Sequence, residues 1–177
     1  MNYSNKDSYT LAILVNNKSG VLMRVVSLFS RRGYNIDSLS VGETEDSQVS
    51  RITIVVSGDR AIVEQIIRQV GKLVDVRRVY EMTGSGSVQQ ELVLIKIKAS
   101  NETRSDIVGL GDIFKAKIVD VTPTTVTFQL TGSLDKLESF LDLAASYGIV
   151  ELARTGITAL GRGDKPLSAL SFDECEN

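Results

Sequence analysis

The chain has 177 residues, with 20 Lys and Arg against 22 Asp and Glu, no His and one Cys. With 42% apolar and 24% charged residues, it has the composition of a folded soluble protein of one large or two small domains. The missing His excludes a Ser-His-Asp triad and a His-ligated metal, the single Cys excludes an internal disulfide and a zinc cluster, and the net charge of −2 argues against a general nucleic-acid binder.

The first half of the chain has strand and helix patterns in the order βαββαβ. Apolar or alternating runs predict strands over residues 9–15, 52–56 and 73–82, and a further strand that has Leu39 and Val41 on one face near its middle. The two predicted helices have apolar residues at helical spacing, at Leu22, Val25, Val26 and Phe29 and at Val63, Ile66, Ile67 and Val70. The first helix is expected to end at Gly33, after two arginines that suit a last helical turn.

The Gly/Ser run over residues 83–87 is the best domain boundary, because such runs are flexible and bury little. Its glycines could also suggest a phosphate loop, but neither GxxxxGKS/T nor GxGxxG is present. The βαββαβ order then repeats, with strands over 93–99, 115–123, 125–130 and 148–152 and helices over 101–114 and 137–144. Gly109 and Gly111 weaken the first of these helices, since each costs about 1 kcal/mol in a helix interior.

A βαββαβ unit folds as a four-stranded antiparallel sheet with two helices on one face, and its other face stays free. In a half of this length, the single core between sheet and helices is small. The free face and the sheet edges are therefore expected to need a partner, which could be the other half, a second chain or a ligand.

The turn over residues 16–20 is the first candidate binding site, because it lies between the first strand and the first helix. Amides at the positive end of a helix dipole suit a small carboxylate or phosphate, and Gly20 lets an anion approach the backbone. Asn17 offers a donor and an acceptor, which suits the ammonium and carboxylate of an amino acid. The alternative is plain helix capping by Asn or Ser, followed by a Gly turn.

The other polar positions favour structural roles. Asn35 could face a ligand or sit in a turn. The acids of the first half match no EF-hand loop and favour a solvated hairpin over a metal site; they are Asp37, Glu43, Glu45 and Asp46. Arg77 and Arg78 are typical of charges that protect a strand edge from aggregation. Residues 161–164 are typical of a polar turn, and Cys175 is expected to be a solvated thiol. With no acid pair and no nucleophile beside a base, an enzyme acting alone is not expected.

Six segments, in this order, resemble the regulatory small subunits of acetohydroxyacid synthase, also called acetolactate synthase. They are LVNNKSGVLMRV (14–25), FSRRGYNIDSL (29–39), LVDVR (73–77), VLIKI (93–97), IVDVT (118–122) and GITALGRGDK (156–165). The resemblance runs from about Tyr9 to Lys165, and RGYNI, VDVTP and RGDK form a specific combination. NxSG alone would indicate only an ACT domain, a wider class of amino-acid-sensing βαββαβ modules.

The resemblance implies an α+β fold of two tandem ferredoxin-like βαββαβ domains. The first, residues 8–83, would be an ACT domain that binds the effector and forms a homodimer. A linker over 84–88, a C-terminal ferredoxin-like domain over 89–165 and a tail over 166–177 would follow. In this family the effector positions fall on Asn17, Gly20, Val21, Met23, Asn35, Ile36 and Gly42.

The resemblance also implies the partners of the chain. The subunit would activate a separate catalytic large subunit and confer feedback inhibition by branched-chain amino acids, with valine expected first, in valine, leucine and isoleucine biosynthesis. Thiamine diphosphate, FAD and magnesium would belong to that catalytic subunit, so no cofactor, metal or catalytic residue is expected in this chain.

Two other functions remain open. A free-standing ACT sensor could regulate another enzyme or a transcription factor, although the chain has no helix-turn-helix pattern and no basic stripe. A small enzyme on a ferredoxin-like scaffold is the third possibility, and the lack of His and of paired acids counts against it. No apolar signal core and no window of about 18 apolar residues is present, which favours a cytoplasmic protein without a membrane span.

Overall fold

The computed structural model describes residues 8–164, 166 and 167, which fall into two compact units. Of the described residues, the first unit contains 8–88 together with 157–164, 166 and 167, and the second contains Gln89–Gly156. Each has the βαββαβ order, so the predicted fold of two tandem ferredoxin-like units is confirmed. No helix among the described residues is long and apolar enough to cross a membrane.

The first unit is a four-stranded antiparallel sheet with two helices on one face. Its elements are β1 (Ser8–Asn16), α1 (Val21–Arg31), β2 (Ser38–Glu43), β3 (Val49–Ser57), α2 (Arg60–Val70) and β4 (Val76–Glu81). The strand order is β2-β3-β1-β4, which leaves β2 and β4 at the edges. The connection before β4 is a turn, because the amide of Val76 donates to the Leu73 carbonyl, so the fourth strand starts later than predicted.

The core of the first unit lies between the sheet and the helices. Its fully buried residues include Leu11, Ile13, Ile52, Ile54, Val25, Phe29, Val63 and Ile66. On α1 the buried stripe is Val21, Val25 and Phe29, whereas Leu22 is 36% exposed. The prediction that Leu22 belongs to the core stripe is therefore wrong by one position, because the helix begins directly at Val21.

The face of the first sheet that carries no helix, here called the helix-free face, is partly covered by residues 157–164, 166 and 167. This return segment includes β9 (Thr158–Gly161), and its Ala159 and Leu167 are buried in an apolar cluster. The sheet contributes the rest of that cluster, which is Ala12, Leu14, Val49, Tyr80 and Met82. Burial of these side chains explains why residues 157–164, from the segment 89–165 predicted for the second domain, group with the first unit. Leu167, predicted for the tail, groups with it for the same reason.

The second unit has β5 (Ser87–Lys98), α3 (Arg104–Phe114), β6 (Lys117–Val121), β7 (Thr125–Gly132), α4 (Leu134–Ala145) and β8 (Ile149–Arg154). Its strand order is β6-β7-β5-β8. Ser87 and Val88, predicted as linker, already belong to β5, and the buried Ser87 hydroxyl donates to the Met82 carbonyl. Only residues 84–86 of the predicted linker lie outside a strand.

Two glycines of α3 have different structural roles. A Cβ on Gly111 would come closer to the Phe128 ring than side chains approach one another, so this glycine lets α3 pack directly on the sheet. A Cβ on Gly109 would meet no atom within 4 Å. Both glycines lower the stability of α3. Packing against Phe128 requires the glycine at position 111, whereas no contact requires the one at position 109.

We expect Gly109→Ala to raise the free energy of unfolding of the second unit by about 0.5–1 kcal/mol, because alanine restricts the unfolded chain and favours the helix. Gly111→Ala should instead lower it by about 1–3 kcal/mol, because the new methyl group overpacks Phe128. Urea melts of the two full-length variants beside the wild type measure both effects. Equal shifts in the same direction would contradict the assigned contact.

Candidate functional site

The turn between β1 and α1 is built around Gly20. Gly20 has φ +81° and precedes the first helical residue, so an ordinary side chain would be strained there. The amide of Asn17 donates to the Gln48 carbonyl at 2.8 Å, and the amide of Arg24 donates to the Gly20 carbonyl at 3.1 Å. These bonds tie the turn to the β2–β3 hairpin on one side and to the helix on the other.

The N-terminus of α1 has open donors. No side chain caps this helix, so the alternative of capping by Asn or Ser is wrong here. The Val21 amide donates to the Lys18 carbonyl at 3.3 Å, but the amides of Leu22 and Met23 donate to no acceptor within the described residues. Such an end carries partial positive charge and can bind a small carboxylate or phosphate.

Asn17 links this helix end to the end of β2. Its Nδ2 donates to Glu43 Oε1 at 2.8 Å and to the Ser47 carbonyl at 2.9 Å. Its Oδ1 accepts no hydrogen bond in the described part of the chain and can accept one from a ligand. Gly42, the neighbour of Glu43, is exposed, and a Cβ there would have open space within 4 Å. Asn17, Gly20 and Gly42 are thus brought to one end of the sheet.

The two helical candidates face different surroundings. The side chain of Val21 is 3% exposed and lies in the core, so only its backbone borders the turn. Met23 is 68% exposed on the first turn of α1 and is free to contact a ligand or a partner.

Asn35 and Ile36 lie at the opposite end of the sheet. Asp37, which follows them, donates its amide to the Val55 carbonyl at 2.9 Å, while Glu43 at the other end of β2 is opposite Ser50. At about 3.3 Å per residue, the two ends of β2 are about 17 Å apart.

Within one chain, Asn35 makes the local contacts of a turn. Its Nδ2 donates to Asp37 Oδ1 at 2.6 Å, and the Ser57 hydroxyl donates to Asp37 Oδ2 at 2.6 Å. Ile36 is half-buried and packs against the first core. The predicted effector residues therefore form two separate groups in a single chain.

Edge strand β2 connects the two groups. One of its edges pairs with β3, and the other pairs with no strand among residues 8–164. Leu39 and Val41 lie opposite Ile54 and Ile52, on the helix-bearing face of the sheet, yet they are 36% and 51% exposed. An open strand edge with exposed apolar side chains is the feature that a second β-strand can cover.

The acids and arginines considered in the sequence have structural contacts. No group of three or more His, Cys, Asp or Glu side chains suited to a metal occurs within the described residues. Asp46 accepts the Gln48 amide at 2.9 Å within the hairpin. Arg77, on edge strand β4, donates to Asn16 Oδ1 at 2.8 Å. Residues 162–164 form a bend after β9, and Cys175 lies outside the described residues.

Sequence reasoning missed Arg51, which lies under the return segment. Its Nη2 donates to the Ala159 carbonyl, its Nε is buried without a partner among the described residues, and burial lowers the pKa of the guanidinium. A partly open cavity of about 690 Å³ lies beside it, between the sheet and residues 160–164, 166 and 167. The only available signal was a lone Arg on the alternating strand β3.

Comparison with known proteins agrees with this architecture. A family model described as an AHAS small subunit-like ACT domain matches residues 11–78, and one described as the small subunit of acetolactate synthase matches residues 90–163. A protein of Archaeoglobus fulgidus named as a probable acetolactate synthase small subunit is 52% identical over 89% of this chain and 98% of its own length.

Two further relatives support the same assignment. The acetolactate synthase isozyme 3 small subunit of Salmonella typhimurium is 49% identical over 88% of this chain and 96% of its own length. The crystal structure of the acetolactate synthase small subunit of Thermotoga maritima superimposes with a TM-score of 0.82 at 38% identity, covering 90% of this chain and 99% of that one. The chain therefore belongs to the acetolactate synthase small-subunit family, and its first half is an ACT domain.

Proposed function

We propose that this chain is the regulatory subunit of a cytoplasmic acetolactate synthase. It activates a catalytic large subunit and makes that subunit sensitive to feedback inhibition by a branched-chain amino acid, with valine the first candidate. Thiamine diphosphate, FAD and magnesium are supplied by the catalytic subunit in this proposal. Membership in the small-subunit family and the open helix end beside Asn17 support it.

The observation that carries the effector site is the position of its two residue groups at opposite ends of β2. In a two-fold pairing of β2 with β2 of a second copy, the strands run antiparallel and the start of one lies beside the end of the other. Asn35 and Ile36 of one copy then lie next to Asn17, Gly20 and Gly42 of the other. The same pairing covers Leu39 and Val41, so dimerisation and effector binding require the same edge.

The chemistry of the joined site suits an apolar amino acid. The ligand carboxylate can accept hydrogen bonds from the amides of Leu22 and Met23, and Asn17 Oδ1 can accept one from the ammonium group. Ile36 of the second copy and Met23 supply apolar contacts for an isopropyl group. One methylene in such a pocket is worth about 1–3 kcal/mol, so valine, leucine and isoleucine are separated only in part.

Feedback control requires that the effector binds one state of the complex better than another, because equal affinity for both states shifts nothing. A coupling of about 1–3 kcal/mol between the effector site and the catalytic subunit is enough for inhibition. A ligand held between two chains has such a preference, since it stabilises one dimer geometry over others.

The purified chain alone should form no acetolactate, and adding it to its catalytic subunit should raise turnover and make the complex valine-sensitive. Acetolactate formation is measured for each subunit and for the mixture, with and without valine. Turnover by a preparation verified free of catalytic subunit would contradict the proposal, as would a mixture whose rate equals that of the catalytic subunit alone.

Val41→Lys should weaken the dimer at least tenfold, because the two-fold pairing places like charges close together at the strand edge. Analytical ultracentrifugation over a concentration series measures the effect. The matched control is Val150→Lys on β8, a similarly exposed edge position that is 49% exposed in the second unit. A dimer weakened by the control and not by Val41→Lys would place the interface elsewhere.

Gly20→Asp and Gly20→Asn should separate charge from backbone strain. Asp and Asn at position 20 have nearly the same shape, and each pays about 1–2 kcal/mol for the positive φ angle there. Only Asp repels the effector carboxylate, by about 4 kcal/mol for like charges 4 Å apart at a dielectric near 20. We therefore expect valine affinity to fall at least a hundredfold in Gly20→Asp and less than tenfold in Gly20→Asn.

Calorimetric valine titration of both folded Gly20 variants, followed by inhibition of the reconstituted complexes, measures this difference. Activation should survive in both variants, because the substitution alters only the helix end where the effector carboxylate is proposed to bind. Equal valine affinity in the Asp and Asn variants would refute a carboxylate site at this helix end.

A further inference from the structure

The return segment begins on the strand that carries the proposed effector residues. The Ile157 amide donates to Ser38 Oγ at 3.1 Å, and Ser40 Oγ donates to the Ile157 carbonyl at 3.2 Å. Both serines lie opposite Val55 and Thr53, on the helix-free face of the first sheet. Both the amide and the carbonyl of Ile157, the first residue of the return segment, are therefore hydrogen-bonded to side chains of β2.

In the sequence, these two serines lie between Ile36, which precedes β2, and Gly42, which is near the end of that strand. Ile36 precedes Ser38 by two residues, and Gly42 follows Ser40 by two residues. A shift or twist of β2 that accompanies effector binding at its edge moves both hydroxyl groups with the backbone. The hydrogen bonds to Ile157 therefore depend on the position of this strand.

The residue before Ile157 is anchored in the second unit. The Gly156 amide donates to Glu91 Oε1 at 3.1 Å, and Glu91 is a buried carboxylate paired with Arg154 at 2.6 Å. Consecutive amides are thus fixed to different units, and consecutive Cα atoms are only about 3.8 Å apart. One peptide bond therefore joins the anchored residue of one unit to the anchored residue of the other.

The middle of the return segment borders a partly open cavity. This cavity, of about 690 Å³, is lined by Leu160, Gly161, Gly163, Asp164, Pro166 and Leu167 on the side of the segment. At its far side, the segment is attached by the Arg162 amide, which donates to the Gly86 carbonyl at 3.0 Å. The first residues of the segment are held by hydrogen bonds to β2. Leu167, its last described residue, is held by the apolar cluster and by the Tyr80 hydroxyl, which donates to its carbonyl.

We infer that the return segment is the output element of the ACT domain, with Ser38 and Ser40 as the positioning residues that pass the state of β2 to Ile157. From Ile157 the change reaches the second unit through the peptide bond to Gly156. This inference rests on the proposed effector site. It assigns a regulatory role to two serines whose hydrogen bonds join β2 to the return segment.

The test is the double variant Ser38→Ala/Ser40→Ala in the full chain, reconstituted with the catalytic subunit. We expect valine to bind with a Kd within threefold of the wild-type value and activation to stay within twofold. Maximal inhibition at saturating valine should fall by at least half. Ser38→Thr/Ser40→Thr, which keeps both hydroxyl groups on a β-favouring residue, should restore the inhibition. The matched control is Ser139→Ala, which removes a serine bond within α4.

The outcomes separate the inference from the proposed function. A wild-type complex that neither binds valine nor is inhibited by it refutes the proposed function, and the inference fails with it. If the wild type is regulated but the double alanine variant reaches the same maximal inhibition, the inference alone is overturned. Loss of valine binding in that variant also overturns it, because the serines would then serve the site itself.

A second measurement needs no substitution. In the full-length wild type, valine should change the hydrogen-exchange rate of the Ile157 amide at least fivefold, because its acceptor Ser38 Oγ moves with β2. The amide of Leu141 in α4 serves as the internal reference and should change less than twofold. An Ile157 amide that exchanges at the same rate with and without saturating valine would overturn the inference, whatever the variants show.

Discussion

The half-paired strand β2 is the constraint on which the rest of this structure depends. It is bonded to β3 on one side and leaves a row of backbone donors and acceptors on the other. Its two ends carry different predicted effector residues, and its helix-free face holds the return segment through Ser38 and Ser40. A partner strand, a ligand and a regulatory connection can therefore all act on the same six residues.

The two units use one topology with different helix-free faces. In the first, Ala12, Leu14 and Tyr80 are apolar and need the cover that the return segment supplies. In the second, Lys96 lies on that face and pairs with Glu151 at 2.8 Å, a hydrogen bond that raises the pKa of Lys96 and lowers that of Glu151. An exposed pair of this kind contributes little to stability, so the second face can remain in water.

Much of this could be predicted from the sequence, and the misses have physical reasons. The βαββαβ order follows from local periodicity, which is why the sequence predicts both units. The assignment of 157–165 to the second domain differs from the structure because local patterns cannot show which sheet a terminal segment covers. The signal was in β1, whose continuous apolar run from Leu11 to Val15 is typical of a strand buried on both faces, whereas β5 alternates with lysines. Whether Asn or Ser caps α1 could not be decided without the φ angle of Gly20. Arg51 could be identified only from its contact with the Ala159 carbonyl.

The central claim is that the effector site is divided between two chains across β2, and subunit mixing tests it most directly. Chains with Gly20→Asp and chains with Asn35→Glu are unfolded together, refolded at equal concentrations and titrated with valine. If the site is divided, neither homodimer binds valine, while the mixed dimer combines both lesions in one site and leaves the other intact, so about a quarter of the wild-type sites return. A mixture in which no site is regained would show that each chain forms its effector site alone, and would contradict the account.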